Sequence, residues 1–384
     1  MKTIAVFGAC HIDTVANYNE NPTGAIDVPG TGIDFSVGGA GYNAAVALRT
    51  VGNNKIRFVC PVVVGSLGEL VVRQALKSNN ISDRWLSVER AELRNSGGFV
   101  AISENGLINR AVTSTLYDTL SIDEDLIKRA LSGADGVVID SNIRVDQIIK
   151  ISKFAIESSI PIFGLVVSDA KAARFCEAAR EIQGERPYAL ICMNSLELSK
   201  VLQDNNVPYN RYIGTELLCV TNGSRGMTLY YGENEFNSGT YLENVPVANE
   251  VGAGDALFAG LVDFYMNSIN KDYREAFDYA SKFVRPILLF DTPTLNARRI
   301  INSRNEGAEE RIRGVYFYSA MLLCIMIYVL AVFSFKLALW AYIISIILLV
   351  ILSGAWGGYQ EHFFTKLVVM NLIERRIELY RILL

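Results

Sequence analysis

Histidine is nearly absent, with two in 384 residues, and the six cysteines lie scattered at 10, 60, 176, 192, 219 and 324 without a CxxC pair. A Cys/His zinc site and a disulfide scaffold are both excluded on that count; such thiols read as small buried apolar groups in a reduced compartment. Charge is sparse too, at 20% of residues. Acids (40) outnumber bases (36) and no long basic run occurs, which excludes a basic nucleic-acid binder. An export signal is not expected either: only the five residues Thr3–Phe7 lie between Lys2 and Gly8, below the low end for a signal peptide. That stretch suits a first buried strand instead. Apolar residues are plentiful, at 51% with mean hydropathy +0.24. This excludes a disordered chain and exceeds what a purely soluble protein needs, the excess lying near the end.

From 1 to about 295, short apolar runs alternate with amphipathic stretches of helical length. Ile4–Phe7, Arg57–Val64, Gly136–Ile139, Ile160–Val167, Ala189–Met193 and Leu217–Val220 read as strands buried on both faces. Gly41–Val51, Leu70–Ser78, Ile122–Ser132, Val145–Ser158, Asp169–Ile182, Ser195–Asp204 and Ala256–Met266 read as helices. The repeated strand–helix–strand order predicts an α/β domain with a mainly parallel sheet. Two stretches depart from it. Gly98–Ser103 and Leu107–Thr113 flank Asn105-Gly106, a hairpin signal, and 22–35 is rich in Gly, Pro and Asp. Both are expected in a small antiparallel flap, with plain surface loops as the alternative.

The last 70 residues follow different physics. Val315–Phe335 and Leu337–Gln360 are uncharged runs separated by Lys336, each long enough for the roughly 20 residues that cross a bilayer as a helix. A transmembrane hairpin is expected over 315–360, after a linker at 296–314. Arg298, Arg299, Arg304, Arg311 and Arg313 precede it, and Lys366, Arg375, Arg376 and Arg381 follow. The positive flanks place the large domain (1–295) and the tail (361–384) on the cytoplasmic side of an inner membrane. Val369, Ile373, Ile377, Tyr380 and Leu384 share one face of a tail helix, suited to pairing with copies of itself or to the membrane surface.

The sharpest motif is Asn249-Glu250-Val251-Gly252-Ala253-Gly254-Asp255. Glycines that turn tightly let backbone N–H groups approach an anion, and a helix N-terminus favours negative charge there. Asp255 one residue later is placed to accept a proton from an attacking hydroxyl, the geometry of phosphoryl transfer. The plainer alternative is a helix with Asp near its N-cap. A second cluster, Val37–Leu48, contains Gly38, Gly39, Gly41, Tyr42 and Asn43 and also opens a helix. Gly8 to Asp13 follows the first strand, putting Asp13 at its carboxyl end, where ligands of open α/β sheets collect.

Together these segments resemble the ribokinase-like (PfkB) family of sugar and nucleoside kinases over about residues 3–292. The match rests on Gly8 and Asp13, on Gly38, Gly39, Gly41 and Asn43, and on Gly252–Asp255. It also rests on the NxxE of Asn194 and Glu197 and the TxGxxG of Thr221, Gly223 and Gly226. The resemblance implies a three-layer sandwich with a mainly parallel central sheet and a small β-lid formed by 22–35 and 98–113. It implies Asp255 as catalytic base and the Gly252, Ala253 and Gly254 amides as an anion hole. It further implies His11, Asp13, Gly38, Gly39 and Asn43 around the acceptor, Asn194 and Glu197 at Mg2+, and Asn194 with Thr221–Gly226 beside ATP. Tyr42 is expected to stack on a base, a lean toward nucleosides; otherwise ribose, fructose, adenosine, inosine and pseudouridine are not separated.

The chain departs from the family at Asn249-Glu250-Val251, where a carboxylate is usual, at the degenerate Gly65–Glu69, and in the bulky segment Ser281–Phe290 beside the adenine. Two functions are carried forward. One is a membrane-anchored kinase phosphorylating a sugar or nucleoside with Mg-ATP. The other is a nucleoside- or nucleotide-sensing membrane effector that assembles as a homo-oligomer and permeabilises the bilayer, as in bacterial antiviral defence.

Overall fold

The computed structural model describes residues 1–18, 30–90, 97–104, 107–114, 116–182, 186–202, 209–238, 252–268, 272–288 and 344–348. Strand β1 (Thr3–Phe7) leads into β2 (His11–Tyr18) and β3 (Gly32–Gly38), and α1 (Ala40–Val51) returns the chain to β4 (Lys55–Val59) and the short β5 (Pro61–Val63). After α2 (Leu67–Ser78) come β6 (Ser87–Glu89), β7 (Gly98–Glu104), β8 (Leu107–Thr113) and α3 (Glu124–Leu131). Alternation then runs through β9 (Gly136–Asp140), α4 (Val145–Glu157), β10 (Ile162–Leu165), α5 (Arg174–Glu181), β11 (Tyr188–Asn194), α6 (Ser195–Val201), α7 (Tyr209–Ile213) and β12 (Thr215–Thr221). The series closes with β13 (Met227–Tyr231), β14 (Asn234–Ser238), α8 (Ala253–Asn267) and α9 (Tyr273–Leu288).

The central sheet has the order β14-β13-β12-β11-β10-β9-β1-β4. The six strands from β12 to β4 are parallel, and β13 and β14 add antiparallel at the edge. In β1, Ile4 and Val6 enter one core while Ala5 and Phe7 enter the other, all fully buried. That is the period-two pattern of a strand covered on both faces. The first core packs α1, α8 and α9, the second α3, α4, α5 and α6. Burying a Leu, Ile, Val or Phe in either layer contributes about 1.5–3 kcal/mol. The five described cysteines are buried free thiols, the role expected of them.

The flap is a sheet of four strands, β3-β2-β7-β8. β7 and β8 are antiparallel around 105–106, with a register shift at Ile102/Ser103. Residues 22–29 of the expected flap lie outside the described residues. Three expectations need correction. Asp13 is not at the end of β1; it sits on β2, which starts four residues after β1 ends and joins the flap. Arg57–Val64 is two strands: Pro61 has no N–H for the central ladder, and β5 pairs with β6 instead. Asp169–Ile182 is a single turn at Asp169–Lys171 followed by α5.

Contacts divide the chain into Met1–Ser303 and Arg304–Leu384. The linker at 296–314, most of the expected hairpin at 315–360 and the tail helix lie outside the described residues; within them only 344–348 is described, and it is helical. Among the described residues no helix is long and apolar enough to cross a membrane.

Candidate active site

The parallel strands point their carboxyl ends at one edge, and the first turns of α1, α6 and α8 meet there. Gly252 caps α8 in the left-handed region, φ +85° and ψ −3°, a conformation that favours glycine. The turn puts Asp255 in the helix's first turn, ahead of the fully buried stretch Ala256–Phe264. The N–H groups of that turn have no intrahelical acceptor, and a Cβ built at Gly254 meets nothing within 4 Å, so the approach to them is open. Asp255 is half-buried, and Asn43 Nδ2 donates to its Oδ2 at 2.7 Å. Burial pushes its carboxyl up to about 7, against the Asn43 hydrogen bond, and the charges of Asp140 and Glu197 add to the rise.

Asn43 reaches Asp255 because α1 is docked tightly on the end of β1. Gly39 caps α1, and Tyr42 N–H donates to Ala9 O at 3.1 Å. Asp140, at the end of β9 and fully buried, accepts from Ala9 N (2.9 Å), Gly41 N (2.7 Å) and Asn142 N (2.8 Å). Desolvation raises its pKa, opposed by those same hydrogen bonds. Asp140 was not among the expected site residues. An acid ending a wholly buried strand, Gly136-Val137-Val138-Ile139-Asp140, was the signal available.

Asp13 lies on the flap side, with Oδ1 2.7 Å from His11 Nδ1, and a Cβ at Gly38 would strike its carboxylate. His11, Asp13, Gly38 and Gly39 are thus one neighbourhood at the root of the flap, leading into the helix that carries Asn43. Tyr42 does not join them. Its ring is in the core, 1% exposed, and its hydroxyl accepts from Asn79 Nδ2 at 2.8 Å. It does not take the expected stacking role, because its ring is buried in the core and its hydroxyl is engaged by Asn79.

Asn194 and Glu197 form a capping box at the start of α6: Asn194 Oδ1 accepts from Glu197 N at 2.8 Å, and Glu197 Oε2 from Asn194 N at 2.7 Å. Glu197 is 4% exposed; burial raises its pKa, with a further rise from Asp169. Among the described residues no group of three or more His, Cys, Asp or Glu could hold a metal by itself. The pair nevertheless fits Mg2+, which takes one or two carboxylates and completes its shell with phosphate oxygens and water.

Thr221, Gly223 and Gly226 line a cavity of about 150 Å³ together with Ala253, Gly254, Ser281 and Val284. Two motifs expected at the nucleotide are therefore brought to one hollow. Of the bulky 281–290 segment, Ser281 and Val284 face it, whereas Phe283 packs against Tyr279 and Gly260. The degenerate Gly65–Glu69 builds the cap of α2, Ser66 Oγ accepting from Glu69 N. Asn249, Glu250 and Val251 lie outside the described residues.

Residues 1–283 match the pfkB family of carbohydrate kinases. The chain belongs to this family. Its chemistry is phosphoryl transfer to an alcohol. A guanosine-inosine kinase of Exiguobacterium acetylicum is 25% identical over 68% of this chain and 87% of its own length. A pseudouridine kinase of Escherichia coli K12 is 25% identical over 69% and 84%. A carbohydrate kinase from Agrobacterium tumefaciens superposes with TM-score 0.62 at 22% identity, covering 79% of this chain and 96% of its own. Arabidopsis thaliana ribokinase, solved with ribose and ATP, gives 0.60 at 16% identity over 78% and 98%. The fold of this PfkB member is thus ribokinase-like.

Proposed function

We propose that the chain transfers the γ-phosphoryl group of ATP to a hydroxyl of a nucleoside or sugar, with Asp255 as general base. The observation that carries the reading is the Asn43–Asp255 contact. It joins the anion-binding turn of α8 to the helix rooted beside His11, Asp13, Gly38 and Gly39. The acceptor hydroxyl oxygen attacks the γ-phosphorus, its proton passes to Asp255, and the bond to the β–γ bridging oxygen breaks with its electron pair leaving on ADP. Amides of the Gly252–Gly254 turn hold the equatorial oxygens as charge develops. Thr221 to Gly226 border the nucleotide. Glu197 and Asn194 would hold Mg2+, which would neutralise charge on the phosphates. The similarity to a guanosine-inosine kinase and a pseudouridine kinase favours a nucleoside acceptor over a free sugar.

The uncharged runs 315–335 and 337–360 with their basic flanks support a membrane-anchored form with the kinase unit on the cytoplasmic side. The test of the activity incubates the purified full chain with labelled ATP, Mg2+ and a panel of nucleosides and sugars. Asp255→Asn is expected to lower turnover by about 1,000-fold or more; turnover equal to the parent removes Asp255 from the mechanism.

A further inference from the structure

The site described so far gathers acids. Asp255 feels the charges of Asp140 and Glu197, and Glu197 that of Asp169, and a migrating phosphoryl group brings more negative charge to the same edge. Lys171 is a half-buried cation at the same edge of the sheet. It ends the single turn Asp169–Lys171 after β10, a turn packed against α6, between the carboxyl ends of β9 and β11. Its Nζ donates to Asn142 Oδ1 at 2.6 Å, and Asn142 is itself tied to Asp140 through its backbone N–H. Lys171 has no carboxylate at ion-pair distance and no second hydrogen-bond partner among the described residues, so two of its three N–H donors are unspent.

A purely mechanical role is already filled. Arg174 donates to the carbonyls of Ser141, Asn142 and Ile143 and pairs with Asp118 at 2.5 Å. The turn after β9 is pinned without Lys171, and Asp118 is neutralised without it. What Lys171 alone adds is a half-buried positive charge, without an ion-pair partner among the described residues, that feels Asp118, Arg174 and Asp140. We propose that the Lys171 ammonium is a catalytic cation that contacts the oxygens of the phosphoryl group in flight. The inference rests on the kinase reading and names the side chain that balances charge in its transition state. Atoms and charges follow the step already given: Lys171 gains and loses no proton, and its contact tightens as the bond to ADP breaks.

The test compares full-length protein with Lys171→Ala, Lys171→Met and Lys171→Arg, on the acceptor found active, with melting temperature as the folding control. Ala and Met are expected to lower kcat by about 100-fold or more with the acceptor KM nearly unchanged, and Arg to retain more, since one preorganised donor to a developing anion is worth about that much. Methylammonium added to Lys171→Ala is expected to restore rate in a saturable way. Turnover of the Ala and Met variants within about threefold of the parent overturns the inference, as does a loss that tracks a lowered melting temperature without amine rescue. A parent inactive on every acceptor, with Asp255→Asn indistinguishable from it, overturns the kinase reading and this inference with it.

Discussion

Asp255 carries two opposed demands in one side chain. As a base it must be ionised, yet burial and the neighbouring Asp140 and Glu197 charges raise its pKa to about 7. The acid limb of kcat/KM is therefore expected near pH 7, with activity falling below it. A pH–rate series with no limb between about pH 6 and 8 would remove Asp255 ionisation from the rate. The same shift has a stability sign. Unfolded Asp titrates near its ordinary 3.8 and the folded one near 7, so between those values the folded state holds the extra proton. Stability falls as pH rises through that window, by at most about 1.4 kcal/mol per pH unit from this group. Asn at 255 keeps an oxygen for Asn43 and has no charge to bury. Asp255→Asn is thus expected to melt higher than the parent at pH 8, with the gap shrinking at pH 5; thermal melts at the two values check it.

At the scale of elements, the site depends on how closely α1 is seated against β1. A Cβ at Gly41 would stand 2.6 Å from Gly8 Cα and 2.8 Å from Asp140 Oδ2, distances that real side chains do not occupy. Gly41→Ala must push the helix off the strand, and Asn43 moves with it. A loss of about 1–3 kcal/mol is expected in denaturant unfolding, with kcat falling more than acceptor binding because the Asn43–Asp255 contact is displaced. Much of this architecture was legible beforehand. The buried runs at 4–7, 136–139, 189–193 and 217–220 became central strands because continuous apolar sequence is what two-sided burial requires. β2 was not legible, since His11-Ile12-Asp13-Thr14 mixes polar and apolar residues on a strand buried only in part. Nor was β14, whose edge position leaves Glu235 and Asn237 at the surface, outside the pattern of a covered strand. The motifs located Asn43 and Asp255, but which side chains share a contact is set by packing. Tyr42, adjacent to Asn43 in sequence, went into the core against Asn79, and Asp140, isolated from any motif, proved central.

Over the whole molecule, the kinase elements are complete before the chain ends. The family match stops at 283, α9 ends at Leu288, and the first compact unit closes at Ser303. Every residue assigned a part in the transfer lies inside that unit, and the superposition uses 79% and 78% of this chain to cover 96% and 98% of two solved kinases. A compact unit with its own core folds independently of what is appended to it. A 1–303 fragment is therefore expected to keep kcat/KM within about threefold of the full chain. The uncharged runs beyond 314 are expected to govern only where the protein resides: full chain sedimenting with membranes on ultracentrifugation, fragment remaining in the supernatant. Retained sedimentation by the fragment would place the membrane determinant before 304. Loss of turnover on truncation, with the fragment's melting curve intact, would mean that the C-terminal segment contributes to the chemistry.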